Sequence, residues 1–475
     1  MNVATDTARR ATAAAPRLAR GGAPRPPVRI IHLGIGHFFR AHQAWYTAHA
    51  ADGADWGIAA FTGRSTALAD ALEDQDGLFT LVERDADGDR LEVVSSIAEA
   101  RPGSDVVRLA ELAADPRVAV ITLTVTESGY RLRPDGTPDP DDAPLAADVV
   151  ELRSDAVPRS PQTAVGRLLL ALDARRLAGA GPIAVVSCDN IPGNGTFLRA
   201  GALAIAEQVD PALAEWMRDA VSFVSTSVDR ITPHVAVDPA ELEAAGWSDA
   251  APVVTEPFAD WVLEGGFPAG RPQWEAGGAR FVDDIEPWEH RKLWLLNGAH
   301  SLLAFAGLVR GIETVAEATA DPACRIAVEA FWAEAVDVLP AGVEHVRYRE
   351  RLLERFENPR IEHRLAQIAA EATVKVQFRF AAVAERTLAA GRMPEESARA
   401  IAAWIDWVLA HGGRPEAPDA RGEEVARAAA SADPTAALVA LVSAPLAASP
   451  AFLDLVRAAR TEPSDSETAH AAPLA

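Results

Sequence analysis

Val28 to Leu33 is a β-branched, apolar run that stops at Gly34-Ile35-Gly36, and few helix breakers follow through Ala51. A second apolar run, Trp56 to Phe61, comes next. The chain therefore opens strand, glycine turn, helix, strand, which is the βαβ order of a nucleotide-binding half-fold. Val118 to Val125 and Ile183 to Cys188 are almost wholly apolar or β-branched, which predicts strands buried on both faces. Between them Ala164 to Leu177 predicts a helix, and Arg131 to Pro144, rich in Asp and Pro, a surface excursion. Beyond about Glu289 the period changes. Arg291 to Val309, Arg325 to Leu339, Val343 to Phe356, Ile361 to Leu388 and Glu395 to Ala410 have helical spacing. The pattern predicts a dinucleotide-binding α/β domain over residues 28–285 and a mostly α-helical domain over 286–460. A compositionally disordered leader (1–27) and tail (461–475) flank them.

Composition narrows the function. The balance of 45 Lys+Arg against 68 Asp+Glu gives a net charge of −23, a field that repels phosphate backbones and anionic lipid. No basic patch offsets it, so neither nucleic acid nor a membrane surface is expected as a partner. The late apolar stretch Ala436 to Leu455 is interrupted by Pro445 and Pro450 and is not read as a span. Two cysteines, Cys188 and Cys324, stand far apart without metal-ligand spacing, so the expected setting is reducing and cytoplasmic. Cys188, beside Asn190, is expected to be sensitive to alkylation.

Gly34 and Gly36, between a strand and a helix, suit the close approach of a pyrophosphate to backbone N–H groups. The third position of the usual glycine pattern is Phe39, so the motif is equally a plain strand-to-helix turn. No carboxylate follows Phe61 where a ribose-binding acid belongs; Arg64 stands there instead. It is read either as a partner for a 2′-phosphate or as a solvated turn residue. The segment Glu286 to His300 is the richest in chemistry. With Lys292 at zero on an α-helical wheel, Glu289, His300 and Asn297 fall at ~60°, ~80° and ~140°. An acid, an amine, an amide and an imidazole thus share a face. Glu289 and Lys292 are also an ordinary i,i+3 pair. Asn190 follows a predicted strand at the sheet edge where ligands bind, or else closes an Asx-turn. Asp229-Arg230 before Pro233 is equally compatible with a structural pair. His32, His37 and His42 are spaced by five, which disfavours zinc.

The blocks His32-Leu-Gly-Ile-Gly-His-Phe-Phe-Arg-Ala-His42, Thr122-Leu-Thr-Val-Thr-Glu-Ser-Gly-Tyr130, Ser187-Cys-Asp-Asn190, Val228-Asp-Arg-Ile-Thr-Pro233 and Lys292-Leu-Trp-Leu-Leu-Asn-Gly-x-His300 resemble the polyol-specific long-chain dehydrogenase/reductase family, also called the mannitol dehydrogenase family. The resemblance runs in order from about residue 28 to 380. It implies a Rossmann-type N-terminal domain, a helical C-terminal domain, metal-independent hydride transfer with NAD (or NADP), and often a monomer. It places the catalytic lysine at Lys292, carbonyl-polarising amides at Asn190 and Asn297, a substrate-orienting histidine at His300 and a proton-passing glutamate at Glu289. Asp229 and Lys375 match positions that contact polyol hydroxyls, and Gly34, Ile35, Gly36, Phe38, Phe39 and Arg40 match the nucleotide-binding stretch. Gln367 stands where mannitol 2-dehydrogenases carry arginine, and His363-Arg364-x-x-Gln367-Ile is closer to the fructuronate-reductase branch. Ser128 replaces a usual lysine. The implied activity is reversible oxidation of a sugar alcohol such as mannitol or mannitol 1-phosphate to fructose or fructose 6-phosphate. Mannonate/fructuronate chemistry is the alternative, and a non-catalytic nucleotide-binding sensor the reading from another class.

Overall fold

The computed structural model describes residues 15–63, 65–154, 158–361 and 363–461. The chain divides into two compact units, Met1–Ile285 and Glu286–Ala475.

The first unit is built on an eight-stranded sheet. Its strands are β1 (Val28–Leu33), β2 (Gly57–Phe61), β5 (Ile97–Arg101), β6 (Val120–Leu123), β7 (Ile183–Ser187), β8 (Val221–Asp229), β10 (Asp260–Glu264) and β11 (Arg280–Val282). The order β11-β10-β8-β7-β6-β1-β2-β5 contains a parallel run from β5 to β8. That run has the strand order of a doubly wound dinucleotide-binding sheet, with its switch point between β1 and β6. β10 pairs antiparallel with β8, and β11, parallel to β10, runs the same reversed way. Alternate strand residues serve two cores, as the pleat requires: Ile30, Ile58, Val120 and Ala184 pack on one face, and Ile31, Ala59, Ile121 and Val185 on the other. Burial on both faces is why these strands read as continuous apolar runs.

A smaller sheet, invisible to the periodicity reading, joins β3 (Phe79–Asp85) and β4 (Gly88–Val94) in a hairpin, with β9 (Val253–Thr255) beside β3. Arg230 ties it to the main sheet. Its Nη2 donates to Glu83 Oε1 at 2.6 Å and its Nη1 to the carbonyl of Ala41 at 2.7 Å, with both charged side chains essentially unexposed. The Asp229-Arg230 ambiguity therefore resolves, for Arg230, toward structure.

Residues 15–27 correct the expectation of a disordered leader. Arg20 donates to the carbonyls of Asp76 (2.8 Å) and Ile97 (3.0 Å), Arg25 to that of Ala98 (2.7 Å), and Leu18 is buried. Composition could not show these bonds, because their acceptors are backbone groups far away in sequence. Residues 1–14 and 462–475, which complete the leader and tail readings, lie outside the described residues.

In the helical unit, Glu286–Val309 packs against Pro322–Val336 and Glu395–Ala410. It is long and apolar enough to cross a membrane, but 67% of its apolar window is buried in the protein, as in a core helix. The single helix expected over Ile361 to Leu388 is broken. Leu365–Ile368 ends, Glu371 takes a positive φ of 51°, and a new helix starts at Ala372. The break is held by Asp419, which accepts from the backbone N–H and the hydroxyl of Thr373, both at 2.8 Å.

Candidate functional site

In the first unit the chemistry collects at the carboxyl ends of β1, β6 and β7. Gly34 has φ +112°, and a Cβ there would lie 2.0 Å from the carbonyl oxygen of Thr124, so only glycine lets the chain turn at the switch point. Gly36, by contrast, faces open space, with only the carbonyl of Gly34 3.8 Å from an added Cβ. The helical run that starts at His37 has no side-chain cap. Clearance over the backbone and uncapped helix N–H groups are what a pyrophosphate requires, and on this geometry the residues fit an NAD-type nucleotide.

Phe39 and Arg40 work from beneath this turn. Phe39 is fully buried and stacks on His32 with ring centroids 3.6 Å apart, so a packed ring stands where a third glycine would give close helix–strand approach. Arg40, also buried, donates to the carbonyls of Gly36 (3.1 Å) and Ala251, and burial lowers it to about 10. Ile35 is buried, while Phe38 is half-buried and stacks near His42. Arg64, and with it the 2′-phosphate question, lies outside the described residues.

The loop after β7 is organised by a residue the sequence did not single out. Asp189 accepts from the backbone N–H groups of Val125 (2.9 Å) and Thr126 (2.8 Å) and from the Tyr130 hydroxyl (2.7 Å). It holds Thr126 at φ +67°, a strained setting for a β-branched residue. Asn194 pins the other side, donating to the carbonyls of Asp189 and Thr226 at 2.8 Å each. Asn190 is exposed on this braced turn. Asp229 is buried at the end of β8. Cys188 corrects an expectation. It is 1% exposed and burial pushes its thiol well above the usual range, so alkylation is disfavoured.

In the helical unit Lys292–Gly298 is a π-helix inserted between two α-helical stretches of Glu286–Val309. This corrects the wheel above. With i→i+5 bonding each residue advances by less than the α-helical 100°, so Asn297, five residues on, lies one turn above Lys292 rather than far around the helix. Lys292, Leu293 and Asn297 are half-buried, whereas Trp294, Leu295, Leu296 and Gly298 are buried. Two side chains from other helices secure the wide turn. Trp332 Nε1 donates to the carbonyl of Leu295 at 2.7 Å, and Arg379 Nη1 to that of Asn297 at 2.9 Å. Glu289 is half-buried in the turn before Lys292.

His300 is buried, and its Nε2 has no hydrogen-bond partner among the described residues. Its ring lies 4.7 Å from that of Phe356 and 4.9 Å, edge-on, from that of His363. Burial first, then His363, Arg355, Arg379 and Lys375, hold His300 well below its usual range, and burial likewise lowers His363. Lys375 Nζ donates to the carbonyl of Ile368 at 2.9 Å. His363 and Arg355 were not legible as site residues, since only the fold brings them to His300.

These histidines have a measurable consequence. His300 and His32, the latter lowered to about 3 by burial, stay neutral in the folded chain, while unfolded histidines protonate near pH ~6.5. Between pH ~6.5 and ~4 the unfolded state therefore binds more protons, and stability falls as pH drops at ~1.4 kcal/mol per pH unit per histidine. Denaturant midpoints at several pH values across this window check this. A midpoint unmoved on acidification contradicts it.

Comparison with known proteins agrees with this geometry. Residues 28–276 match the family model described as the mannitol dehydrogenase Rossmann domain, and residues 284–458 match the mannitol dehydrogenase C-terminal domain. The chain is 37% identical over 390 residues to mannitol 2-dehydrogenase of Cereibacter sphaeroides, covering 79% of this chain and 80% of that protein. It is 35% identical over 395 residues to D-mannonate oxidoreductase of Escherichia coli, covering 79% of each. Among solved structures it resembles Pseudomonas fluorescens mannitol 2-dehydrogenase in ternary complex with NAD and D-mannitol, with TM-score 0.73 and 32% identity, covering 92% and 91% of the two chains. A substrate-free D-sorbitol dehydrogenase matches with TM-score 0.83 and 28% identity, covering 92% and 93%.

Proposed function

Because the chain belongs to the mannitol dehydrogenase family and is thereby an oxidoreductase acting on CH–OH groups, we propose that it reversibly oxidises a secondary alcohol of a sugar alcohol, mannitol or mannitol 1-phosphate, to the ketose, with Lys292 as general base. The observation that supports this reading is the π-turn, whose wider repeat stacks Lys292 and Asn297, both half-buried, on successive turns of the helix.

In oxidation, the substrate O–H bond breaks and its proton goes to Lys292 Nζ while the C–H bond breaks heterolytically. When bound, the nicotinamide of NAD(P) supplies the hydride acceptor. Taking a hydroxyl proton is steeply uphill unless charge on oxygen is stabilised as it develops. Asn190 and Asn297 are assigned as the donors, each worth ~3–4 kcal/mol in favourable sites. His300, kept neutral by burial, offers the unpartnered Nε2 to a neighbouring hydroxyl and so selects which alcohol faces the base. Glu289, three residues before Lys292, returns the proton to solvent. Asp229 and Lys375 are assigned to the remaining hydroxyls.

One observation favours a second reading. Arg355, Lys375 and Arg379 all act electrostatically on His300, a cationic setting that suits a carboxylate, and D-mannonate oxidoreductase is among the relatives. Oxidation of mannonate to fructuronate is the alternative. A panel of mannitol, mannitol 1-phosphate, mannonate and the matching keto compounds, assayed with NAD and NADP, tests both. Highest kcat/KM on the sugar alcohols supports the first reading, and on mannonate the second. Nucleotide binding with no turnover on any of them supports a sensor instead.

A further inference from the structure

We propose that Arg379 is a positioning residue that holds the Lys292–Gly298 π-turn in the form that keeps Asn297 in register with Lys292. This rests on the roles assigned to those two residues above. Arg379 Nη1 donates both to the carbonyl of Asn297 (2.9 Å) and to Ser301 Oγ (2.7 Å). It thereby spans the point where the π-turn returns to α-helix, since Ala299–Val309 is α-helical again. Arg379 itself lies in a second π-turn, Gln377–Ala381, which packs against the first. The residue that clamps the first wide turn is thus presented by a second.

The chemistry of the residue is hard to explain as packing. Among the described residues no carboxylate pairs with Arg379, and its burial alone lowers it to about 10. Arg379 is half-buried, and a cation partly withdrawn from water without an acid carries a cost that an apolar side chain in the same space would not. What an apolar residue cannot do is donate to the carbonyl of Asn297. A π-turn is a rare, single-turn departure from the α-helix. Without its clamp the segment relaxes toward α geometry, in which Asn297 falls ~140° from Lys292. The amide then no longer meets the oxygen whose proton Lys292 takes.

The test is a double-mutant cycle in the full chain, on the substrate that it turns over best, with thermal unfolding and nucleotide affinity measured alongside. Arg379→Met is expected to lower kcat ~10²-fold, the cost of a misplacement of about an ångström, with KM changed by less than about threefold. Asn297→Ala is expected to lower kcat ~10²–10³-fold. If Arg379 acts through Asn297, the double variant falls within about threefold of Asn297→Ala alone. Arg379→Lys, which keeps a charged donor on a shorter side chain, falls between wild type and Met. Two outcomes overturn the role of Arg379 while leaving that of Asn297 in place: a folded Arg379→Met with wild-type kcat, or a double variant whose loss is the product of the two single losses. Should Arg379→Met fail to fold, the same cycle is read with Arg379→Lys. If Asn297→Ala leaves kcat unchanged, the role of Asn297 falls and the inference with it, whereas multiplicative losses refute Arg379 alone.

Discussion

Lys292→Ala is expected to lower kcat for alcohol oxidation by ~10³–10⁴-fold, toward the upper range for loss of a general base, while nucleotide affinity stays within about twofold. Lys292 opens the π-turn and is half-buried, so its amine is both accessible and partly withdrawn from water. It has a carboxylate three residues earlier at Glu289 and an amide one wide turn later at Asn297. Removing the amine leaves the donors in place but gives the hydroxyl proton nowhere to go. The loss should therefore be in kcat rather than in KM. Glu289→Gln separates the base from the group that passes its proton on: it is expected to slow turnover less than Lys292→Ala. A Lys292→Ala variant with kcat within tenfold of wild type would remove Lys292 from the chemistry.

Gly34→Ala is expected to cost the first unit about 3 kcal/mol or more, because the added Cβ meets the carbonyl oxygen of Thr124 at 2.0 Å in a backbone with φ +112°. That carbonyl belongs to the segment held by Asp189, and Thr124 Oγ1 also donates to the carbonyl of Gly34 at 2.9 Å, so neither side can yield easily. At ~2–4 °C per kcal/mol for a unit of this size, Tm should fall by roughly 6–12 °C or more, with loss of nucleotide binding. Gly36→Ala supplies the contrast. Its Cβ enters open space, so folding should be near wild type while the nucleotide is excluded. Calorimetry and nucleotide titration of the two variants decide this. Equal Tm for Gly34→Ala and wild type would contradict the account of the switch point.

The parallel sheet was legible because its strands are buried on both faces, and a run such as Val118 to Val125 has no other simple reading. The hairpin of β3 and β4 was not, since neither Phe-Thr-Leu-Val-Glu-Arg-Asp nor Gly-Asp-Arg-Leu-Glu-Val-Val alternates cleanly and the partner β9 lies far along the chain. The arginines of residues 15–27 read as disorder because their acceptors, carbonyls of Asp76, Ile97 and Ala98 and carboxylates of Glu73, Asp74 and Asp76, lie far away in sequence, which composition does not show. At the site, Lys292, Asn297 and His300 were readable as a set, but their mutual register was not. Period-based reasoning assumes 3.6 residues per turn, and nothing local announces that the donors of Trp332 and Arg379 sustain a π-turn. Asp189 was hidden in the same way. Its neighbour Asn190 carries the obvious chemistry, yet Asp189 makes the bonds that hold two loops together.

Hydride is expected to leave a secondary carbinol carbon of a sugar alcohol as its hydroxyl proton goes to Lys292. The most direct test uses mannitol deuterated at its secondary carbinol carbons, with the full chain and the oxidised nucleotide it prefers. Mass spectrometry of the products should show one deuterium carried into the reduced nucleotide, none of it exchanged with water. Ketose formed without label in the nucleotide, or no reduced nucleotide from mannitol or mannitol 1-phosphate, would contradict the account.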